Sequence, residues 1–189
     1  MFRQAGLWLL WRFPYVRELE RRAFYDDLTG LLRRGRFFEL LGDAMARRKR
    51  GWPQHLLVLY YIDLNRFKDV NDTHGHHVGD QYLRFVARSL SQFVSGSATC
   101  GRMGGDEFAV FDRVWSEHGH LPPRANAEAL RRFLNDLVYN HAFGVRIPCR
   151  ASVGYAVTDD NTAHDPDALV AQADKEMYAV KRRIRRARR

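Results

Sequence analysis

Three carboxylates are the side chains of this sequence best placed for chemistry. Asp63 follows residues 56–62, an apolar run without alternation that predicts a central strand covered on both faces. Asp106 and Glu107 follow Gly104 and Gly105, and the strand patterns on either side predict a hairpin with a Gly-Gly turn. If the two strands are neighbours, the acids converge at one end of a sheet. A divalent cation such as Mg²⁺, which prefers hard oxygen ligands, would then relieve their repulsion.

Each of these residues also has a purely structural interpretation. Asp63 suits a helix N-cap, a Gly-Gly pair suits any tight turn, and an acidic turn alone is commonly solvated surface. The combination of a strand-end Asp with an acidic turn is what favours a site.

A second polar cluster runs over residues 71–80. Asn71 offers a donor and an acceptor and Asp80 accepts two donors, so the pair suits the amino and imino edge of guanine. The alternative is a polar loop with a helix cap. The cluster also contains three histidines, but no fourth ligand lies at a spacing typical of a zinc site.

The hydrophobic pattern predicts the elements that position these residues. Apolar residues recur at helical spacing over residues 16–24, 34–49, 78–94 and 127–141, and a last helix opens at Asp165 and Pro166. Residues 147–157 alternate like one half-buried strand. Mixed helices and strands around a central hairpin predict an α+β or α/β sandwich, with helices on a mainly antiparallel sheet.

Composition narrows the class of protein. The 189 residues fit one domain with a short extension, and the 46% hydrophobic content excludes global disorder. Seven positive charges lie in residues 181–189, and without them the net charge falls from +9 to +2. The body is therefore not uniformly basic, and no nucleic acid is expected as a partner. The basic end by itself is interpreted as solvated, or as a contact for acidic lipid, RNA or a nucleotide phosphate.

The cysteines and the N-terminal segment suggest where the protein works. Cys100 and Cys149 form no disulfide framework, which is typical of a reducing cytoplasm. Residues 7–11 are apolar but too short to span a membrane, and they lack a secretory cleavage site. Packing within a dimer and contact with a membrane surface both stay open for this segment, and membrane contact has no further support.

Several motifs, in order, resemble those of the GGDEF family. Residues 104–108 spell GGDEF, and residues 63–72 resemble the family's DxDxFKxxND stretch. The remaining matches are GHxxGD at residues 75–80, the opening DxLTGL motif at 26–31, the late strand at 152–154 and the last helix at 173–181. Together they cover about residues 24–185.

The resemblance implies a fold like nucleotide cyclases and polymerase palm domains, and a diguanylate cyclase activity. Two GTP molecules, one on each subunit of a homodimer, would form cyclic di-GMP and two pyrophosphates. Two Mg²⁺ ions per active site are implied, with Mn²⁺ as a substitute, and a cytoplasmic location. The implied division is a helical extension over residues 1–24, the GGDEF domain over 25–185 and a basic tail over 186–189.

The resemblance also assigns roles to individual residues. The metal ligands would be Asp63, Asp106, the Leu64 carbonyl and Glu107, and Glu107 would alternatively assist deprotonation. Catalytic roles fall on Asp106, Glu107 and Lys68. The substrate-binding residues would be Phe67, Asn71, Asp80, Gly104, Gly105, Lys181 and Arg185, with Asn71 and Asp80 reading guanine and the basic side chains neutralising phosphate.

Departures from the family pattern matter for activity and regulation. Arg33 stands where the family often has Asn, Asn65 where it has a second Asp, and Ile184 where it has Gly. The RxxD product-inhibition motif would fall at Ser95 and Ala98, and neither end matches, which predicts no inhibition through that site. The alternative function is a catalytically weak domain that binds GTP or cyclic di-GMP as a sensor or interaction module.

Overall fold

The computed structural model describes residues 14–49, 55–94, 96–115, 122–158 and 165–187. Its helices are α1 Pro14–Phe24, α2 Arg34–Lys49, α3 Phe67–His74, α4 His76–Phe93, α5 Pro123–Asp136 and α6 Pro166–Arg186, with a 3-10 turn at Ala142–Gly144. Its strands are β1 Leu32–Arg33, β2 His55–Leu64, β3 Thr99–Gly104, β4 Glu107–Trp115, β5 Val138–Asn140, β6 Arg146–Pro148 and β7 Ala151–Val157. The apolar segment 7–11 lies outside the described residues.

A five-stranded sheet organises the described part of the chain, with strand order β1-β3-β4-β2-β7. Only the short β1–β3 pair is parallel, and the other three pairs are antiparallel. Strands β5 and β6 form a separate two-stranded sheet. The predicted α+β fold with a mainly antiparallel sheet is confirmed.

Strand β2 is central and buried on both faces, which explains its continuous apolar sequence. Val58 and Ile62 belong to a core shared with α4 and α5. Leu57 and Leu59 belong to a second core shared with α2 and α6. Because side chains alternate along a strand, the odd-numbered residues face α2 and α6.

Helix α6 packs closely on β7 because Gly154 has no side chain. A Cβ at this position would lie 2.1 Å from the Met177 backbone nitrogen and 2.3 Å from the Ala173 carbonyl oxygen. The helix begins where the sequence predicts, with the Asp165 carboxylate accepting from the backbone N–H groups of Asp167 (2.9 Å) and Ala168 (3.2 Å). It continues through Arg186, so most of the basic run is helical.

Two predicted boundaries are wrong. The helix predicted over residues 127–141 ends at Asp136, since Leu137 is extended and the next three residues pair with β6. The strand predicted over residues 147–157 is two strands, β6 and β7, in different sheets. The first four residues of β7 are buried rather than alternating, because helices cover both faces of the sheet there. Within the described ranges, no helix is long and apolar enough to cross a bilayer.

Candidate active site at the hairpin end of the sheet

The pairing of β2 with β4 brings the acid-bearing residues together. Asp63 lies directly opposite Glu107 in the antiparallel register, and the backbone N–H of Leu64 donates to the Asp106 carbonyl at 3.2 Å. Asp63 is therefore the penultimate residue of β2, and the N-cap interpretation is wrong. We call Asp63, Asp106 and Glu107 the carboxylate cluster.

The hairpin turn depends on its glycines. Gly104 and Gly105 have φ of 151° and 51°, values that side-chain-bearing residues rarely adopt. Gly104 is the last residue of β3, so the chain reverses through Gly105 and Asp106, one residue later than predicted. The turn exposes both glycine backbones at the edge of the carboxylate cluster.

Arg102 ties this turn to the segment that follows α1. Its guanidinium donates twice to the Gly105 carbonyl, at 2.7 and 3.1 Å, and once to the Asp26 carboxylate at 3.0 Å. Asp26 also accepts from the Thr29 backbone N–H and hydroxyl, at 2.9 and 2.7 Å. Burial alone would raise the pKa of Asp26, but these hydrogen bonds outweigh it and lower the pKa.

Lys181 supplies a cation to the carboxylate cluster. Its Nζ donates to both carboxylate oxygens of Asp63 at 2.6 Å, and the two side chains are only 18% and 8% exposed. The contact joins residues 118 positions apart and exists because α6 crosses the end of β2. A fixed positive charge therefore already compensates Asp63.

The other two acids are less well compensated. Burial, and then the charge of Asp63, raises the pKa of Asp106. Burial also raises the pKa of Glu107, although the Tyr61 hydroxyl, which donates to its Oε2 at 3.0 Å, partly offsets the rise. Burial and the neighbouring charge of Glu107 raise the pKa of Tyr61, which keeps the phenol a donor.

These residues fit a hard divalent cation in chemistry, because they are oxygen ligands whose mutual repulsion a cation would relieve. They do not form a closed ligand set: among the described residues, no three His, Cys, Asp or Glu side chains are grouped to hold a metal ion. Asp63 faces the Lys181 ammonium with both oxygens, so the ammonium and a metal ion would compete for this carboxylate. The described histidines near α4 likewise belong to no such group of three ligands.

The polar residues of the second cluster meet where α3 joins α4. A Cβ on Gly79 would lie 1.9 Å from Asn71 Oδ1 and 3.3 Å from the Phe67 ring, so the glycine admits both side chains. Phe67 is half-buried and stacks on Tyr82, with ring centroids 6.1 Å apart. Asp80 follows Gly79 and is half-buried. We call Phe67, Asn71, Gly79 and Asp80 the α3–α4 corner.

Two of the predicted phosphate ligands are exposed on the helices α3 and α6. Lys68 is exposed and its ammonium donates to Asp72 at 2.5 Å, a bond that raises the pKa of Lys68. Arg185 is exposed on α6, one turn beyond Lys181. Of the basic side chains assigned from the sequence, Lys181 is the one that the structure brings to the cluster.

Comparison with known proteins identifies the family. A family model described as "Diguanylate cyclase, GGDEF domain" matches residues 23–187. This chain belongs to the GGDEF domain family. Among solved structures, a sensory box/GGDEF family protein from Caulobacter crescentus CB15 superposes with a TM-score of 0.73 at 32% identity, covering 85% of this chain and 99% of that one.

Curated relatives carry the domain within longer proteins. Diguanylate cyclase TpbB of Pseudomonas aeruginosa (strain UCBPP-PA14) is 34% identical over 185 residues, covering 90% of this chain and 38% of TpbB. Signaling protein YkoW of Bacillus subtilis (strain 168) is 32% identical over 176 residues, covering 91% of this chain and 21% of YkoW. This GGDEF domain therefore spans less than half of the length of either relative.

Sequence reasoning missed Tyr61. It lies two residues before Asp63, so the two side chains share a face of β2, and this spacing could have marked it as a neighbour of the acids. Asn65 was noted only as a departure from the family pattern. Its Oδ1 accepts from the Ser152 hydroxyl at 3.0 Å, which joins the end of β2 to β7.

Proposed function

We propose that this GGDEF domain is a diguanylate cyclase, which condenses two GTP molecules into cyclic di-GMP and releases two pyrophosphates across a homodimer. The observation that carries the proposal is the carboxylate cluster at the glycine turn of a GGDEF hairpin. Relatives of the chain include a protein named diguanylate cyclase.

Asp63, Asp106 and the Leu64 carbonyl would hold Mg²⁺ or Mn²⁺, with Glu107 as a further ligand. Bound there, two such ions would neutralise charge on the triphosphate and activate the attacking hydroxyl. As an alternative to binding metal, Glu107 would accept the proton of the attacking 3′-hydroxyl. Gly104 and Gly105 leave room beside the cluster for the phosphates to approach the backbone.

The basic side chains would bind the phosphates. Lys181 is held at the cluster before substrate arrives, and it would exchange Asp63 for a phosphate oxygen when GTP and the metal ions enter. Arg185, one turn further along α6, would extend this positive surface. Lys68 also bonds Asp72, so its charge is already partly neutralised before a phosphate binds.

The α3–α4 corner would bind the base. Asn71 and Asp80 together present donor and acceptor groups that match the amino and imino edge of guanine. Phe67 packs beside them and would form an apolar wall of the base-binding site. Asp80 would favour guanine because it accepts from donors that adenine does not present in that place. We therefore expect GTP to be consumed in preference to ATP.

Regulation would differ from that of family members with the RxxD motif. Ser95 and Ala98 occupy the ends of that motif here and provide neither its Arg nor its Asp. We propose that cyclic di-GMP does not inhibit this chain through that site.

The alternative is a module that binds GTP or cyclic di-GMP without turnover, and the Lys181–Asp63 contact favours it, because the ammonium competes with metal ions for Asp63. Mass spectrometry after incubating the purified chain with GTP, ATP and Mg²⁺ separates the two. We expect cyclic di-GMP from wild type, and a loss of at least about 10³-fold in Asp106→Ala, since metal ligation contributes several kcal/mol to catalysis. Tight GTP binding without product, in wild type, would establish the module instead.

A further inference from the structure

The hydroxyl of Tyr61 lies at the boundary between an apolar core and the carboxylate cluster. Its ring belongs to the core that β2 shares with α2 and α6, and the residue is only 5% exposed. The hydroxyl donates to Glu107 Oε2 at 3.0 Å. Tyr61 lies opposite Ala109 in the β2–β4 register, two residues from Glu107, so the hydrogen bond runs diagonally across the two strands.

Packing fixes the position of this hydroxyl. A buried aromatic ring held by neighbouring helices has little freedom to move, so its polar end is a fixed point. A phenylalanine would fill the same core, and the hydroxyl adds one feature to the site: a donor aimed at Glu107. The bond engages Oε2 and leaves Oε1 available to a cation.

The carboxylates of Asp63 and Glu107 are thus held in two different ways. Asp63 is held by the Lys181 ammonium on both oxygens, so this cation would compete with a metal ion for the carboxylate. Glu107 is held by a neutral donor on one oxygen, and this contact is compatible with metal on the other. Hydrogen bonds of this kind orient metal ligands, and their loss typically weakens metal binding 10- to 100-fold.

We propose that Tyr61 is a positioning residue for metal binding, which holds Glu107 in the orientation that presents Oε1 to the cation while Lys181 leaves Asp63. The inference rests on the proposed function in that the cation is the one used for catalysis. It adds a residue that lies outside the GGDEF signature and two positions ahead of Asp63.

The test compares Tyr61→Phe with Tyr60→Phe in the full chain. Tyr60 is 6% exposed on the opposite face of β2, and its hydroxyl hydrogen-bonds the Asn126 side chain. Each variant therefore removes one buried hydroxyl and one hydrogen bond from adjacent residues of the same strand. Effects on folding should be similar, and only Tyr61→Phe should affect metal binding.

Two readouts are needed. The first is the affinity for Mn²⁺, measured by electron paramagnetic resonance in the presence of a non-hydrolysable GTP analogue. The second is the rate of turnover as a function of Mg²⁺ concentration. For Tyr61→Phe we expect about tenfold weaker Mn²⁺ binding and about tenfold more Mg²⁺ for half-maximal turnover. At saturating Mg²⁺, kcat and the KM for GTP should stay within about twofold of wild type, since the ligand itself remains.

The outcomes separate the two proposals. Equal Mn²⁺ affinity in Tyr61→Phe and Tyr60→Phe would overturn the positioning role, even if wild type makes cyclic di-GMP. Weaker Mn²⁺ binding in Tyr61→Phe alone would support the role, even if wild type makes no product and the proposed cyclase activity fails. Absence of Mn²⁺ binding by wild type would overturn both.

Discussion

The carboxylate cluster and the α3–α4 corner are built in opposite ways. The cluster depends on residues far apart in sequence: Lys181 reaches Asp63 across 118 positions, and Arg102 ties the adjoining turn to Asp26 across 76. The corner is local, since Asn71 and Gly79 lie on consecutive helices, and the Asn71 side chain occupies the space that a Cβ on Gly79 would take. The cluster is therefore coupled to the stability of the whole fold, whereas the corner should change with little effect elsewhere.

Gly154→Ala should give the largest effect on the side of the cluster. The new Cβ would overlap backbone atoms of α6 at 2.1 and 2.3 Å, and backbone cannot rotate away, so the helix that carries Lys181 must shift. We expect the free energy of unfolding to fall by about 3 kcal/mol, measured by urea denaturation. A loss below about 1 kcal/mol would show that α6 is less tightly coupled to β7 than the geometry requires.

Gly79→Ala should act on the corner alone. Its Cβ would overlap Asn71 Oδ1, the free end of a side chain, which can swing away without moving the backbone. Stability should stay within about 1 kcal/mol of wild type, because alanine also favours a helix. Binding of a non-hydrolysable GTP analogue, measured by calorimetry, should weaken about tenfold. A loss of this size corresponds to the free energy of one hydrogen bond to a charged or polar partner. Unchanged affinity would contradict the assignment of Asn71 to the base.

Asp106→Asn should increase stability in metal-free buffer, an effect opposite in sign to that of Gly154→Ala and smaller. Because the pKa of Asp106 is raised in the fold, the ionised carboxylate destabilises the folded protein above that pKa, and the penalty disappears below the unfolded pKa. The variant should therefore be more stable at neutral pH, by roughly 1 kcal/mol at most since water screens a half-buried group. The gain should vanish as pH falls.

Asp26→Asn provides the control for that pH dependence. The pKa of Asp26 is lowered, so its ionised form stabilises the fold above the unfolded pKa, and this stabilisation is lost as pH falls through the folded pKa. This variant should be less stable than wild type at neutral pH, with the deficit fading in acid. Parallel pH profiles for the two variants would contradict the electrostatic account of the cluster.

The sequence predicts the cluster better than its surroundings. A long apolar run ending in Asp63 and a glycine turn beside two acids are strong signals, and antiparallel register then places them together. The Lys181 contact and the Tyr61 hydrogen bond depend on how α6 and the core pack against β2. No local sequence pattern encodes this packing.

The boundary errors have a comparable cause. Apolar spacing continues past Asp136 into residues 137–141, but the chain becomes extended there and pairs with β6. The Asn135 side chain bonds both the backbone N–H and the carbonyl of Ala151, at 3.3 and 3.1 Å, which brings the end of α5 against the start of β7. Such tertiary contacts override the periodicity of the sequence.

The most direct test of the account is crystallography with Mn²⁺ and a non-hydrolysable GTP analogue, using anomalous scattering to locate the metal. We predict a Mn²⁺ peak bonded to Asp63 and Asp106, the base against Asn71 and Asp80, and the Lys181 ammonium moved from Asp63 to a phosphate oxygen. A nucleotide bound with Lys181 still on both oxygens of Asp63, and no metal between the two strands, would contradict it.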